Sequence, residues 1–234
     1  LSPTKSQFGP LLYSGDLSLG LKRAGELGYD GVELSLRDAE ELKIEELQDQ
    51  LSCNNLKVYG IATGQTYYND GFSLFAEETQ KRLKAAERLK GHVDLAAQLG
   101  AAVFIGGIRG KIEPTANYEE IYAQGREMIG AVSRYALEKK VIILLEPINR
   151  YETNIINTLA EGMSLIRELG YPNLRLLADS FHMNLEEVSY RQALTEAKDV
   201  LGYMHFADSN RLAPGWGHTD FQEIYQIIRL MQKV

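Results

Sequence analysis

The 234 residues are 44% hydrophobic and 24% charged, a composition that excludes disordered and fibrous classes and suffices for one large core spanning 1–234. Lys and Arg number 25 against 32 Asp and Glu, giving a net charge of −7 with no long basic cluster, which argues against nucleic acid as a partner. One cysteine, Cys53, excludes an internal disulfide and fits a reducing compartment, and no apolar run approaches the ~20 residues of a membrane span, so a cytoplasmic protein is expected.

Leu1-Ser-Pro carries neither an initiator Met nor a signal-like segment. Ser14 to Asp16 precede a helical pattern (Leu17, Leu21, Ala24, Leu27) that stops at Gly28, and Gly31 to Ser35 reads as a short strand ending near Glu33, a pocket-lining candidate. Ile44, Leu47 and Leu51 give a second helix ending near Asn54-Asn55, followed by a strand over 57–62. Residues 64–72, with Tyr67, Tyr68 and Gly71, read as a long aromatic loop suited to surface cover or to a lid. The longest helical stretch runs from Glu77 to Leu99 and stops at Gly100. Its His92 reads as a packing or surface residue and not as a ligand.

A strand over 102–106 then leads into Gly106-Gly107-Ile108-Arg109-Gly110-Lys111, a turn that offers backbone N–H groups and a cation to a phosphate but lacks a full P-loop pattern. Asn117 with Glu120 caps the next helix, and Val141 to Leu145 is an apolar run read as an interior parallel strand. Glu146 ends that run, and Pro147 follows. Thr158 with Glu161 caps a helix that stops at Gly170. Leu174 to Asp179 is a strand ending in a carboxylate, with His182 three residues on. A less regular helix over 186–200, a strand around Leu201 to His205, and a last helix capped by Asp220 and Glu223, with Phe221, Ile224, Ile228 and Met231 inward, complete the chain. His218 is read as a helix-entry residue.

Strands starting near 32, 57, 102, 141, 174 and 202 alternate with helices, which implies right-handed crossovers and a parallel α/β sheet. The alternatives are a doubly wound open sheet and a (β/α)8 TIM barrel. Polar residues at several consecutive strand ends must converge on one point, which favours the barrel, and no Gly-x-Gly-x-x-Gly follows a strand. Six strands leave the first and last of eight missing, so the chain is expected to be incomplete at both ends.

Glu146, Asp179 and His205 end three successive strands and form a mixed oxygen and nitrogen set suited to a divalent cation such as Mn²⁺, Mg²⁺, Co²⁺ or Zn²⁺. Taken singly, Asp179 is as well suited to capping a turn, and His205 to being a satisfied core histidine. Glu146, at the end of a wholly apolar strand, demands a partner.

The motifs Glu146-Pro-Ile-Asn-Arg-Tyr-Glu152, Asp179-Ser-Phe-His182-Met-Asn184 and His205-Phe-Ala-Asp208-Ser-Asn210-Arg211 together resemble the xylose-isomerase-like TIM-barrel superfamily, most closely its ketose 3-epimerases. The resemblance implies metal ligation by Glu146, Asp179 and His205, an acid/base role for Glu146, and substrate contacts from Glu152, His182 and Arg211. It implies a metal-dependent isomerase or epimerase taking a sugar or sugar phosphate, with room for a homo-oligomer. The family's further glutamate on the eighth strand has no match here and is expected beyond Val234. Hydroxypyruvate-isomerase-like and inosose-dehydratase-like enzymes share these motifs. An endonuclease IV-like nuclease is disfavoured by the acidic charge and by the lack of early-strand histidines, and an inactive barrel would differ in metal content.

Overall fold

The structure is a computed structural model that describes residues 1–5 and 11–231. Residues 1–143 and 144–234 form two compact units.

The first unit alternates helix and strand. α1 (Leu17–Glu26) starts where the Asp16 side chain accepts the Leu19 N–H at 2.9 Å, the capping that Ser14 to Asp16 predicts. β1 (Gly31–Ser35), α2 (Ile44–Cys53) and β2 (Lys57–Ala62) follow, with β1 and β2 parallel and a register shift at Val32/Glu33. Leu1 lies beside β1: its amino group donates to the Glu33 carbonyl at 2.7 Å, and the Ser35 N–H donates to the Leu1 carbonyl at 2.7 Å.

The segment read as an aromatic loop is largely a helix, α3 (Gly64–Asp70), ended by Gly71 at φ 70°. It has no apolar period for a sequence reading to find. Buried Gln65 donates to the Ser2 hydroxyl (3.0 Å) and the Ser35 carbonyl (2.9 Å), while Thr66 donates to the Arg37 carbonyl (2.8 Å), so tertiary hydrogen bonds hold this turn of backbone.

α4 (Thr79–Leu99) buries Ala85, Leu89, His92, Val93 and Ala96 along one face and ends at Gly100, φ 68°, where a left-handed residue closes the helix. Of the packing and surface placements open to His92, the structure takes the packing one, with the ring fully buried. β3 (Ala102–Ile105) pairs parallel with β2. Gly107–Arg109 is a single 3₁₀ turn in which Arg109 is wholly buried, its Nε donating to the Gly106 carbonyl at 3.2 Å. The guanidinium thus braces its own loop. α5 (Tyr118–Glu138) begins at Asn117, whose side chain accepts the Glu120 N–H at 3.4 Å.

β4 (Ile143–Leu145) starts at the last residue of the first unit, and its three residues are all buried. The strand is shorter than the run Val141 to Leu145, and Ile142 is 48% exposed. Apolar character alone does not fix where pairing begins. In the second unit come α6 (Leu159–Leu169), β5 (Leu174–Asp179), α7 (Ser180–Glu186), α8 (Tyr190–Ala197), β6 (Leu201–His205) and α9 (Phe221–Met231). β5 and β6 are parallel, and the strand order follows the sequence from β1 to β6. Thr158 and Glu161 form a reciprocal capping box at the start of α6, and its C-cap is Gly170 at φ 69°.

Of the helix expected over 186–200, only α8, over 190–197, is formed as expected, and α7 before it is an additional helix that shares just Glu186 with that range. α7 starts directly from Asp179 and stops at Glu187, whose backbone is extended, and Ser189 then caps α8 by accepting the Gln192 N–H at 3.3 Å. In α9 the Asp220 carboxylate accepts the Glu223 N–H at 2.9 Å, and Ile224 and Ile227 are the buried residues. Ile228 and Met231, expected inward, are only partly covered. Among the described residues no helix is long and apolar enough to cross a membrane.

Candidate active site

All six residues singled out as ligands or substrate contacts lie in the second unit. Glu146 follows a strand with no exposed side chain, and Pro147, lacking an N–H, ends the ladder immediately after it. The Glu146 side chain retains 13% exposure.

Asp179 ends β5 and is at the same time the N-cap of α7: one carboxylate oxygen, Oδ1, accepts the Phe181 N–H at 2.8 Å and the His182 N–H at 3.4 Å. The turn-capping reading and the ligand reading of this residue therefore do not compete, because the second oxygen, Oδ2, faces His205 Nδ1 at 3.5 Å. Burial pushes the Asp179 carboxyl up, but the hydrogen bond to His205 and the neighbouring His182 and His205 rings outweigh it, and the group stands below its ordinary range. His205, the last residue of β6, also brings Nδ1 to 3.3 Å from Glu146 Oε1. Both carboxylates and the imidazole predicted to meet are thus in contact.

Whether these residues suit a cation is a matter of span. Two atoms bonded to one ion at roughly 2.0–2.5 Å lie no more than about 5 Å apart. Glu146, Asp179 and His182 each offer a donor atom, all within 4.8 Å of one another, and the His205 contacts above are shorter still. Two carboxylates with imidazoles are an oxygen-rich set that fits Mn²⁺, Mg²⁺ or Co²⁺, with Zn²⁺ also compatible. Proximity leaves two histidines available for one nitrogen position.

Around this centre lies a second, polar layer. Glu152 pairs with Arg211, Nη1 to Oε1 at 2.7 Å and Nη2 to Oε2 at 3.4 Å, and the guanidinium lies over the Phe181 ring with its carbon 4.9 Å from the centroid. His182, 3% exposed in the first turn of α7, meets Asn149, itself 1% exposed. Asn149 also donates to Glu152 at 2.9 Å. Arg150 and Glu186 form a bidentate pair, Nη2 to Oε2 at 2.7 Å and Nε to Oε1 at 3.0 Å, which ties the loop after β4 to the end of α7.

Arg211 stands at φ 65°, an unusual backbone conformation for a long side chain, and Asp208 holds it there. The Asp208 carbonyl accepts the Arg211 N–H at 2.7 Å, and its buried carboxylate gathers the N–H groups of Ser209 (2.7 Å), Gly215 (2.8 Å) and Thr219 (3.0 Å). Burial pushes that carboxyl up, but the N–H groups of Thr219, Gly217, Ser209 and Gly215 outweigh it and hold the group far below its usual range. His218, read as a helix-entry residue, is exposed in the loop before α9, its Nδ1 3.0 Å from the Ser209 hydroxyl.

Sequence reasoning missed Asn149, Phe181, Glu186 and Asp208. Asn149, Phe181 and Asp208 sit inside the three quoted motifs, so the signal available was position between two chemistry-bearing residues.

The sequence matches the family described as xylose isomerase-like TIM barrel across residues 21–232. It is 30% identical to an L-ribulose 3-epimerase of Methylomonas sp. (strain DH-1) over 97% of this chain and 81% of that protein. It is 28% identical to a ketose 3-epimerase of Arthrobacter globiformis over 89% and 71% of the two chains. Among solved structures, the D-allulose 3-epimerase from Methylomonas sp. in complex with D-allulose superposes with a TM-score of 0.84 at 29% identity, covering 95% of this chain and 78% of that one.

Proposed function

This chain belongs to the xylose isomerase-like TIM barrel family, and on that premise we propose that it is a divalent-metal-dependent sugar epimerase acting at the carbon beside a ketose carbonyl. The observation that carries the reading is the meeting of Glu146 Oε1, Asp179 Oδ2 and His205 Nδ1 at the ends of three consecutive strands, beside the Glu152–Arg211 pair. The names of the relatives support the ketose and the 3-position.

The hard step is removal of a proton from carbon, because the carbanion left behind is unstable in water. Glu146, Asp179 and His205 would hold a divalent cation, which would supply Lewis-acid stabilisation of that negative charge. Glu146 takes the C–H proton from one face of the sugar, a contribution of roughly 10²–10⁴ in rate, and inversion at that carbon needs a second acid/base group that returns a proton on the opposite face. His182 and Arg211 donate hydrogen bonds to sugar oxygens as negative charge develops there, and Glu152 accepts from a hydroxyl while its pairing fixes the Arg211 fork. The partly covered carboxylates, 13% and 12% exposed, make each of these interactions stronger than it would be in open water.

A single domain over 1–234, Mn²⁺ as the ion, a cytoplasmic setting and self-association belong to the same proposal. The family match running through 21–232 supports the first. The test offers D-allulose and D-fructose, which differ at C3, to the protein in deuterium oxide with Mn²⁺, Mg²⁺ or Co²⁺, and follows the C3 proton by NMR. Metal-dependent loss of that proton, abolished in Glu146→Gln, is expected. Full metal binding without exchange at C3 of any ketose offered would overturn the reading.

A further inference from the structure

We infer that Asn149 is a positioning residue: it locks His182 as the tautomer with its proton on Nε2, and so removes His182 from the metal set and makes it a hydrogen-bond donor to substrate. The consequence for substrate rests on the function proposed above. The tautomer itself does not.

The inference follows from one amide whose oxygen and both N–H groups each face a partner. An asparagine side chain has one oxygen, which accepts, and one NH₂ with two donors, and the two ends are told apart only by their partners. Here both ends have partners that permit a single role. The Tyr151 backbone N–H, which can only donate, lies 3.0 Å from Asn149 Oδ1, so that end is the carbonyl. The Glu152 carboxylate, which also takes the Arg211 fork, lies 2.9 Å from Asn149 Nδ2, so that end is the NH₂. The orientation is fixed twice over without reference to His182.

The remaining Nδ2 hydrogen then faces His182 Nδ1 at 2.8 Å, and the Asn149 backbone N–H faces the same nitrogen at 3.4 Å. Two donors aimed at one ring nitrogen require a lone pair there. A proton on Nδ1 would place N–H against N–H in a pocket closed to bulk solvent, where Asn149 is 1% and His182 3% exposed. In the neutral ring the proton is consequently on Nε2. That nitrogen has no lone pair left to give a cation, and Nδ1 is occupied by Asn149.

This separates two histidines that distance alone does not. His182 shares a 4.8 Å cluster with Glu146 and Asp179, and by proximity it is as good a ligand as any. His205 instead turns Nδ1 toward both carboxylates, at 3.3 Å and 3.5 Å. The imidazole of the metal set is therefore His205, and His182 is left with one outward function, donation from Nε2. The same amide couples this donor to the Glu152–Arg211 pair, because its other hydrogen bonds the Glu152 oxygen that Arg211 also holds.

The experiment is long-range ¹H–¹⁵N correlation NMR on metal-free protein labelled at histidine, near pH 8. The chain has four histidines, and His182→Gln assigns the signal by its disappearance. The wild type is expected to show His182 as the Nε2–H tautomer, and to keep it when Mg²⁺ is added while the His205 signals move. Asn149→Asp puts an acceptor where Nδ2 stood and is expected to convert His182 to the Nδ1–H tautomer, with kcat falling at least about tenfold and the metal titration midpoint unchanged. An Nδ1–H tautomer in the wild type, or loss of the Nε2 proton on adding Mg²⁺, would overturn the inference without needing any variant to fold. A protein that binds no metal yet shows the Nε2–H tautomer sinks the proposed function and leaves the Asn149 assignment standing.

Discussion

Replacing Asp179 separates what it does for the fold from what it does for the ion. Its Oδ1 caps α7 by accepting two N–H groups, while Oδ2 faces His205. Asparagine is as good an N-cap as aspartate, so Asp179→Asn keeps the cap and removes only the charge, whereas Asp179→Ala loses both. Metal-free, the alanine variant should be about 1 kcal/mol less stable, the usual worth of such a cap, and the asparagine variant close to wild type. For a chain of this length each kcal/mol moves Tm by about 2–4 °C. A metal at one hundred times its Kd adds roughly 2.7 kcal/mol to a protein that binds it only when folded, so wild type should gain about 5–10 °C on adding Mn²⁺. Neither variant should gain more than a degree or two. Differential scanning fluorimetry with and without Mn²⁺ reads all six values. If Asp179→Asn kept the full Mn²⁺-induced rise, Asp179 would be a cap and nothing more.

Three other outcomes are expected. Burial of His92 lowers its pKa from 6.5 to about 4, despite the nearby Asp38 that favours the charged ring. The folded form resists protonation, so stability is whole above pH 6.5 and declines toward pH 4, by roughly 3 kcal/mol in full and roughly 2 kcal/mol by pH 5; urea midpoints at pH 7 and 5 should show this slope flattened in His92→Leu, and an unchanged slope refutes it. Gly125 lets α5 lie against the Phe75 ring, and a Cβ there would fall 2.6 Å from Phe75 Cγ. The overpacking cost of about 1–3 kcal/mol should exceed the gain of up to about 1 kcal/mol in helix propensity, so Gly125→Ala lowers the urea midpoint, and a rise would show that the ring moves aside freely. Arg211→Lys keeps a charge but loses the two-pronged contact to Glu152 and the planar face over Phe181, so kcat/KM should fall about 10- to 100-fold with the Mn²⁺-induced Tm rise intact; loss of that rise would move Arg211 into the metal set.

How much of this was legible depends on whether a residue's partners lie near it in sequence. The strand ends were readable because an apolar run that terminates abruptly in a carboxylate, as at Glu146 and Asp179, marks where the buried strand stops, and the helix caps at Asp16, Asn117, Thr158 and Asp220 were readable because the capping side chain and the N–H it accepts are three residues apart. α3 was not, since the groups that hold Gln65 and Thr66 are 29 to 63 residues away. The break between α7 and α8 was partly available. Ser189 with Gln192 is a cap pattern, but it lies within a stretch of adequate helix formers and was read as continuous helix. Asp208 could be seen as a polar residue in a motif, yet nothing local shows that it gathers N–H groups from as far as Thr219.

The same distinction orders the site. The three residues proposed to hold the metal are the final residues of β5 and β6 and the residue after β4, elements whose positions are set by sheet pairing and by a core with Leu145, Leu177 and Ala178 at 0% exposure. Asp179 is constrained further, because the helix that begins there uses one of its oxygens, and moving it would unmake the start of α7. The residues proposed to touch sugar are held differently: Glu152 by Asn149 and Arg211, and Arg211 by Glu152, Phe181 and the Asp208 loop. A rigid frame for the ion with side-chain-braced loops around it lets the proton-transfer chemistry stay fixed while loop substitutions change which hydroxyls are met. Asn149 stands where the two layers join, with one N–H on the substrate pair and one on the histidine that completes the first turn of α7, so a change there should disturb substrate recognition and histidine chemistry together while the cation stays bound.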